Sequence, residues 1–155
     1  MPRRPYKKIG VEKDKLYKSA EVAKLINYIM RDGKKSVAEK MVYKALAAIK
    51  EGDPVDVLKT VIRNVAPTLE VKPKRVGGAS YLVPVETRPT RRIFLAFNWL
   101  IEGAQSRSNK EYASFDKKLA AELKDAYKRE GGAIAKKKQV EKLAEANRAF
   151  AHFKW

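Results

Sequence analysis

Beginning at Ser19, apolar residues return at intervals of three and four. The stretch SAEVAKLINYIMRDG sets Val22, Leu25, Ile26, Ile29 and Met30 on one side of a helix. Ser19 stands before it as an N-cap and Gly33 after it as a stop. SVAE at 36–39 has the form of a capping box, and Met41, Val42, Ala45, Leu46 and Ile49 line the helix it would open. Asp53 and Pro54 start a third helix, buried through Val57, Leu58, Val61, Ile62 and Val65 and closed by Pro67. Thr90 is placed to cap a fourth, with Ile93, Ala96, Phe97, Leu100, Ile101 and Ala104 facing inward. Phe115, Leu119, Leu123 and Tyr127 mark a fifth, ended by Gly131 and Gly132; Val140, Leu143, Ala144 and Asn147 share one face of a sixth.

One stretch breaks the rhythm. TLEVKPKRV and YLVPVET are rich in β-branched and aromatic residues and flank GGAS, which predicts a hairpin about a glycine-permitted turn. Pro73 and Pro84 donate no amide, so each must sit where its nitrogen points away from the partner strand. Two strands alone are marginal in water, so the ribbon must lean on the helices or on a partner. The fold class is therefore mainly α: a bundle of about six helices with a protruding two-stranded β-hairpin. Residues 1–18 read as a basic arm, and 19–155 as a single helical domain with the hairpin at about 69–88.

Charge then narrows the partner. Among 155 residues, 35 Lys and Arg face 18 Asp and Glu, a formal charge of +17. Self-repulsion on that scale favours a polyanion. The most apolar run, IFLAFNWLIEGA, is short of the roughly 20 residues of a membrane span, and MPRRPYKKIG leads into no apolar signal segment. Cysteine is absent, so disulfides, thiolate catalysis and cysteine zinc sites are excluded. A soluble, cytoplasmic nucleic-acid-binding domain with no membrane partner is the expectation.

Catalytic chemistry finds no support. His152 is a single histidine near the C-terminus, and Glu141 and Glu145, at helical spacing, read as partners of nearby lysines on a solvated face. VGGAS lacks the third glycine of a dinucleotide fingerprint, and RDGKKS lacks the first glycine of a phosphate loop. No catalytic residue, metal site or cofactor is assigned.

The basic residues are better organised. Lys34 and Lys35, then Lys72, Lys74 and Arg75, then Arg88, Arg91 and Arg92, then Lys136, Lys137 and Lys138 cluster where helices end and loops begin. Helix N-termini attract phosphate, and arginines in a first turn repel the dipole end unless an anion offsets them. Tyr81, Phe153 and Trp155 are candidates to stack on unpaired bases, which RNA offers more readily than duplex DNA.

Three blocks carry a resemblance. INYIMRDGKKSVAEKMVYKAL, VKPKRVGGASYLVPVETRPTRR and GGAIAKKKQVEKLAEANRAFAHFKW, in this order, closely resemble the family of bacterial small-subunit ribosomal protein seven. The likeness runs through essentially the whole chain. It implies a helical bundle with a protruding hairpin and a structural, non-enzymatic role in the ribosome of the cytoplasm. Members are primary binders of the 3′ major domain of small-subunit ribosomal RNA and nucleate assembly of the head. They lie at the subunit interface near exit-site transfer RNA and outgoing messenger RNA, beside small-subunit proteins nine and eleven, and can also bind their own message. By this resemblance Arg3, Arg4, Lys7 and Lys8 thread into ribosomal RNA. Lys34 and Lys35 meet its phosphates, and Lys72, Lys74, Arg75, Arg91 and Arg92 line the root of the hairpin. Gly77, Gly78, Ala79, Ser80, Tyr81, Leu82 and Val83, with Arg148, lie toward the exit-site transfer RNA.

Overall fold

A computed structural model of the chain describes residues 10–153. Six α-helices surround one hydrophobic core, a two-stranded antiparallel ribbon is inserted between the third and fourth helices, and a closing 3-10 helix packs on the ribbon. The first helix, α1, spans Ala20–Ile29, and the Ser19 hydroxyl accepts from the Val22 amide at 3.5 Å while donating to Glu21 at 2.7 Å. Before it, the Asp14 carboxylate accepts from the amides of Leu16 and Tyr17 and from the Tyr43 hydroxyl, so this stretch of the basic segment is docked on the second helix.

The second helix, α2, spans Lys35–Ala47 and departs from expectation at its start. Asp32 and Gly33 take φ of +52° and +70°, and Lys35 N donates to Gly33 O at 2.8 Å. This tight turn starts the helix early, with Lys34 as N-cap; Ser36 falls inside the first turn and the capping box is not formed. The third helix, α3, Pro54–Val65, has Asp53 at N-cap and proline at its first position, as the sequence indicates. The fourth, α4, Pro89–Ser106, likewise opens on a proline, so Arg88 rather than Thr90 is its N-cap. The fifth, α5, Phe115–Tyr127, contacts α2, α3, α4 and the sixth helix, α6, which spans Gly131–Ala146. Gly131 and Gly132 open α6 rather than end α5. A Cβ on Gly131, already at φ +90°, would lie 3.1 Å from a carboxylate oxygen of Glu122. The 3-10 helix, Arg148–Phe153, closes the described chain.

Val22, Leu25, Leu46, Leu58, Phe97, Leu100, Leu119 and Leu123 are fully enclosed. Trp99 joins them, whereas Ile93 and Ile101 are only partly covered, because α4 packs against both α5 and α6 and its buried face is turned accordingly. Leu143, expected inside, is exposed; α6 passes from α4 to the ribbon and buries only Ala133, Ile134 and Ala144.

In the ribbon, β1 (Leu69–Val76) pairs with β2 (Ala79–Glu86) through a two-residue turn at Gly77 and Gly78, whose φ are +58° and +89°. Both values are costly for residues bearing a Cβ, which is why glycine is needed twice here. The closing pair Val76–Ala79 is hydrogen-bonded in such a hairpin, and alternate pairs follow suit. Lys74–Tyr81, Lys72–Val83 and Glu70–Val85 are then bonded pairs, and the phase is confirmed at the far end, where Thr87 N donates to Thr68 O at 3.0 Å. Pro73, opposite Leu82, and Pro84, opposite Val71, fall on the intervening pairs, where no amide is required.

Candidate nucleic-acid interface

The root of the ribbon meets the start of α4 at an ionic cluster. Glu70, nearly buried on β1, lies 3.2 Å from both the Lys72 ammonium and the Arg91 guanidinium. Arg91 also stands 4.8 Å over the Phe94 ring. Arg88 occupies the N-cap, no side chain caps the helix, and no acid lies in its first turn. Arg92 adds a further guanidinium, whose Nε is buried without a hydrogen-bond partner among the described residues. Glu70 thus meets two cations, Lys72 and Arg91, beside a helix start that also carries Arg88 and Arg92 and is itself positive. Glu70 has only a faint signal in the sequence, a lone acid between apolar neighbours in an otherwise basic strand.

Strand alternation divides what the sequence groups together. Lys72 and Lys74 share a face with Tyr81 and Val83, while Arg75 lies on the opposite face with Leu82. Lys74 is drawn toward the 3-10 helix and donates to Phe153 O at 3.3 Å. Tyr81 and Phe153, candidates to stack on bases, pack against each other and Phe150, with centroids 5.2 Å and 5.1 Å from the Tyr81 ring. These aromatics provide the support that an isolated ribbon needs. Val83 is fully buried, so it presents no surface at the hairpin tip. Gly77, Gly78, Ala79, Ser80 and Leu82 are exposed.

The remaining cations differ in how far they are engaged. Lys34 and Lys35 are exposed at the uncapped start of α2, with no acid in its first turn. Lys136, Lys137 and Lys138 lie within α6 rather than at a helix end. Lys136 stands 3.6 Å from Glu102 and Lys137 donates to Asn64 O at 2.8 Å, whereas Lys138 is exposed. Arg148 pairs with Glu145 at 3.1 Å. Glu141, expected beside lysines, accepts from the amide and hydroxyl of Thr68 at 3.3 Å and ties α6 to the start of the ribbon. His152 Nδ1 lies 2.8 Å from Ala149 O, within its own 3-10 helix. Arg3, Arg4, Lys7, Lys8 and Trp155 lie outside the described residues.

A buried ionic network joins the end of α4 to α5 and the start of α6. Glu122, almost fully enclosed on α5, accepts from Arg107 Nη2 at 2.7 Å and Nε at 2.9 Å, and from the Ala133 amide of α6 at 2.8 Å. Arg107 also bonds Asp125, and Lys118 reaches Asn109 at 2.6 Å. Burial opposes the charge on Arg107, but the carboxylates of Asp125 and Glu122 outweigh it and push its pKa above the usual arginine range. No apolar periodicity covers 106–114, so Arg107 has no signal of its own in the sequence. The available signal was Lys118 and Glu122 at i, i+4 alongside the apolar residues of α5.

Among the described residues no helix is long and apolar enough to cross a membrane. Residues 1–148 match the family described as Ribosomal protein S7p/S5e. The chain is 50% identical to the small ribosomal subunit protein uS7 of Caldicellulosiruptor bescii over 159 aligned positions that cover 100% of both proteins. It is 48% identical to that of Caldicellulosiruptor saccharolyticus and 50% to that of Thermodesulfovibrio yellowstonii, again over 100% of each chain. With its helical bundle, its inserted ribbon and its basic helix starts, this chain belongs to the ribosomal protein S7p/S5e family, whose members are structural proteins rather than enzymes.

Proposed function

We propose that the chain is a structural constituent of the small ribosomal subunit in the cytoplasmic ribosome, and a primary binder of the 3′ major domain of its ribosomal RNA. In this reading residues 1–18 are a basic arm and 19–155 one RNA-binding domain that nucleates the head. The hairpin tip and Arg148 lie toward exit-site transfer RNA and messenger RNA at the subunit interface, next to ribosomal proteins nine and eleven. The chain's own message is a second RNA for the same basic surface.

The observation that carries this reading is the excess charge at the root of the ribbon. Arg88, Arg91 and Arg92 stand at the positive end of α4, where no acid lies in the first turn, and Glu70 meets Arg91 and Lys72 alone. Such a cluster is unfavourable in an isolated fold and favourable once phosphate arrives. The test is a salt titration of binding to a 3′-major-domain junction RNA and to a scrambled RNA of equal length. Each phosphate neutralised adds about −0.7 to −0.9 to the slope of log affinity against log salt. A junction RNA still preferred at physiological salt is the expected result; coincident curves would leave only non-specific attraction to a charge of +17.

A further inference from the structure

A cleft opens between α1, α2, α4 and α5, away from the ribbon. Its volume is about 370 Å³, within the roughly 300–1,000 Å³ of small-molecule sites. Tyr28, Val37, Met41 and Phe115 give it apolar walls. Tyr28 stacks on Phe97 at 5.4 Å, which fixes its ring, yet stays 38% exposed, and Val37 is 46% exposed. Gln105 contributes an amide, with both donor and acceptor, that makes no hydrogen bond among the described residues. Arg31 and Lys34 also line it; both are exposed, and neither side chain has an ionic or hydrogen-bond partner among the described residues. No carboxylate lines the cleft.

We propose that this cleft receives one unpaired nucleobase of the bound RNA, with the adjoining phosphate held by Arg31 and Lys34. The proposal rests on the RNA-binding reading above and adds a specific receptor to it. A nucleotide combines what the lining offers: a flat apolar face for Tyr28 and Phe115, a polar edge for Gln105, and an anion for the two cations. The start of α2, uncapped and without an acid in its first turn, reinforces the anion position beside Lys34. A purely apolar partner, such as a side chain of another protein, would leave both cations and the amide unused.

The test uses the full chain with 13C-labelled Ile, Val and Met methyl groups. The four nucleoside 5′-monophosphates are titrated in turn, with ribose 5-phosphate as a base-free control. Saturable shifts at Ile29, Val37, Met41 and Ile101 with a nucleotide, and none with ribose 5-phosphate, are expected. Equal responses to both would reduce the cleft to a phosphate site and overturn the proposal, as would no response to either. In parallel, Val37→Glu places a carboxylate at an exposed wall position and should weaken junction-RNA binding by about 5-fold or more, the scale of one lost stacking contact. If Val37→Glu binds as the unaltered chain does while junction RNA is still preferred over scrambled RNA, the base receptor is refuted and the RNA-binding reading stands. Loss of that preference in the unaltered chain refutes the broader reading instead. Methyl shifts that follow protein concentration rather than nucleotide would assign the cleft to a second copy and also overturn the proposal.

Discussion

At the scale of single residues, the most consequential side chain lies inside the bundle. Glu122 is nearly sealed in the bundle, and its charge is tolerated because Arg107 and the Ala133 amide meet it. Arg107→Ala would leave that carboxylate unpaired and should cost about 3–5 kcal/mol in urea unfolding. A loss below about 1 kcal/mol would mean that the α6 amide suffices alone. Gly103 faces the same carboxylate: an added Cβ would lie 2.7 Å from its oxygen and 3.2 Å from the Ala133 amide nitrogen. Gly103→Ala should therefore destabilise by about 1–3 kcal/mol, read in the same assay. Asp14 and Tyr43 form a second, pH-sensitive pair. Burial raises the Asp14 carboxyl, but hydrogen bonds from Tyr17, Tyr43 and Leu16 outweigh it and hold the pKa below the usual value. Burial first, then the bond to Asp14, pushes the Tyr43 phenol up to about 12. The depressed carboxyl contributes stability above its unfolded pKa of about 3.9, lost as pH falls through the folded value. The raised phenol contributes below about 10, lost as pH climbs through its folded value. Docking of residues 14–19 on α2 should thus hold between those limits, and Asp14→Asn should lower the Tyr43 pKa in an ultraviolet titration.

At the scale of elements, the ribbon is the part most open to independent disturbance. Its turn relies on two glycines at positive φ, and its flank on Tyr81, Phe150 and Phe153. Valine at Gly77 and Gly78 would place β-branched side chains in left-handed backbone, at roughly 1–3 kcal/mol each. Amide exchange in β1 and β2 should accelerate, with α1 to α5 unchanged; acceleration throughout would show that the ribbon and bundle open as one unit. Tyr81→Ala should loosen the same strands without altering the turn. Much of the ribbon was legible beforehand because glycine and proline carry strict backbone demands. Its brace was not, since the contact of Tyr81 with Phe150 joins positions remote in the chain and leaves no periodic trace.

At the scale of the whole molecule, net charge draws the chain to a polyanion, while the fold decides which cations remain available. Arg75 is exposed and without a side-chain partner among the described residues, whereas Lys137 is spent on the Asn64 carbonyl. Arg75→Ala should weaken RNA binding across sequences and reduce the magnitude of the salt slope by about one. Lys137→Ala should change unfolding more than the slope. Reversed behaviour in a paired salt titration and urea melt would assign the two residues the opposite roles.

Helix count, the place of the ribbon and the absence of cysteine chemistry were all determined by the sequence alone. Apolar spacing, glycine and proline act locally, so a chain read residue by residue exposes them. The resemblance to the small-subunit family was equally legible, because it rests on the order of residues in three long blocks. Helix starts were less so: Lys34 and Arg88 became N-caps because a tight turn and Pro89 began their helices before Ser36 and Thr90. Only the tertiary structure decided that Glu70 meets Arg91, that Arg107 is buried beside Glu122 and Asp125, and that the cleft beside Arg31 and Lys34 exists. Each depends on groups distant in the chain meeting at a few ångströms, and the energy of such a meeting is set by burial and geometry, neither of which composition or spacing encodes.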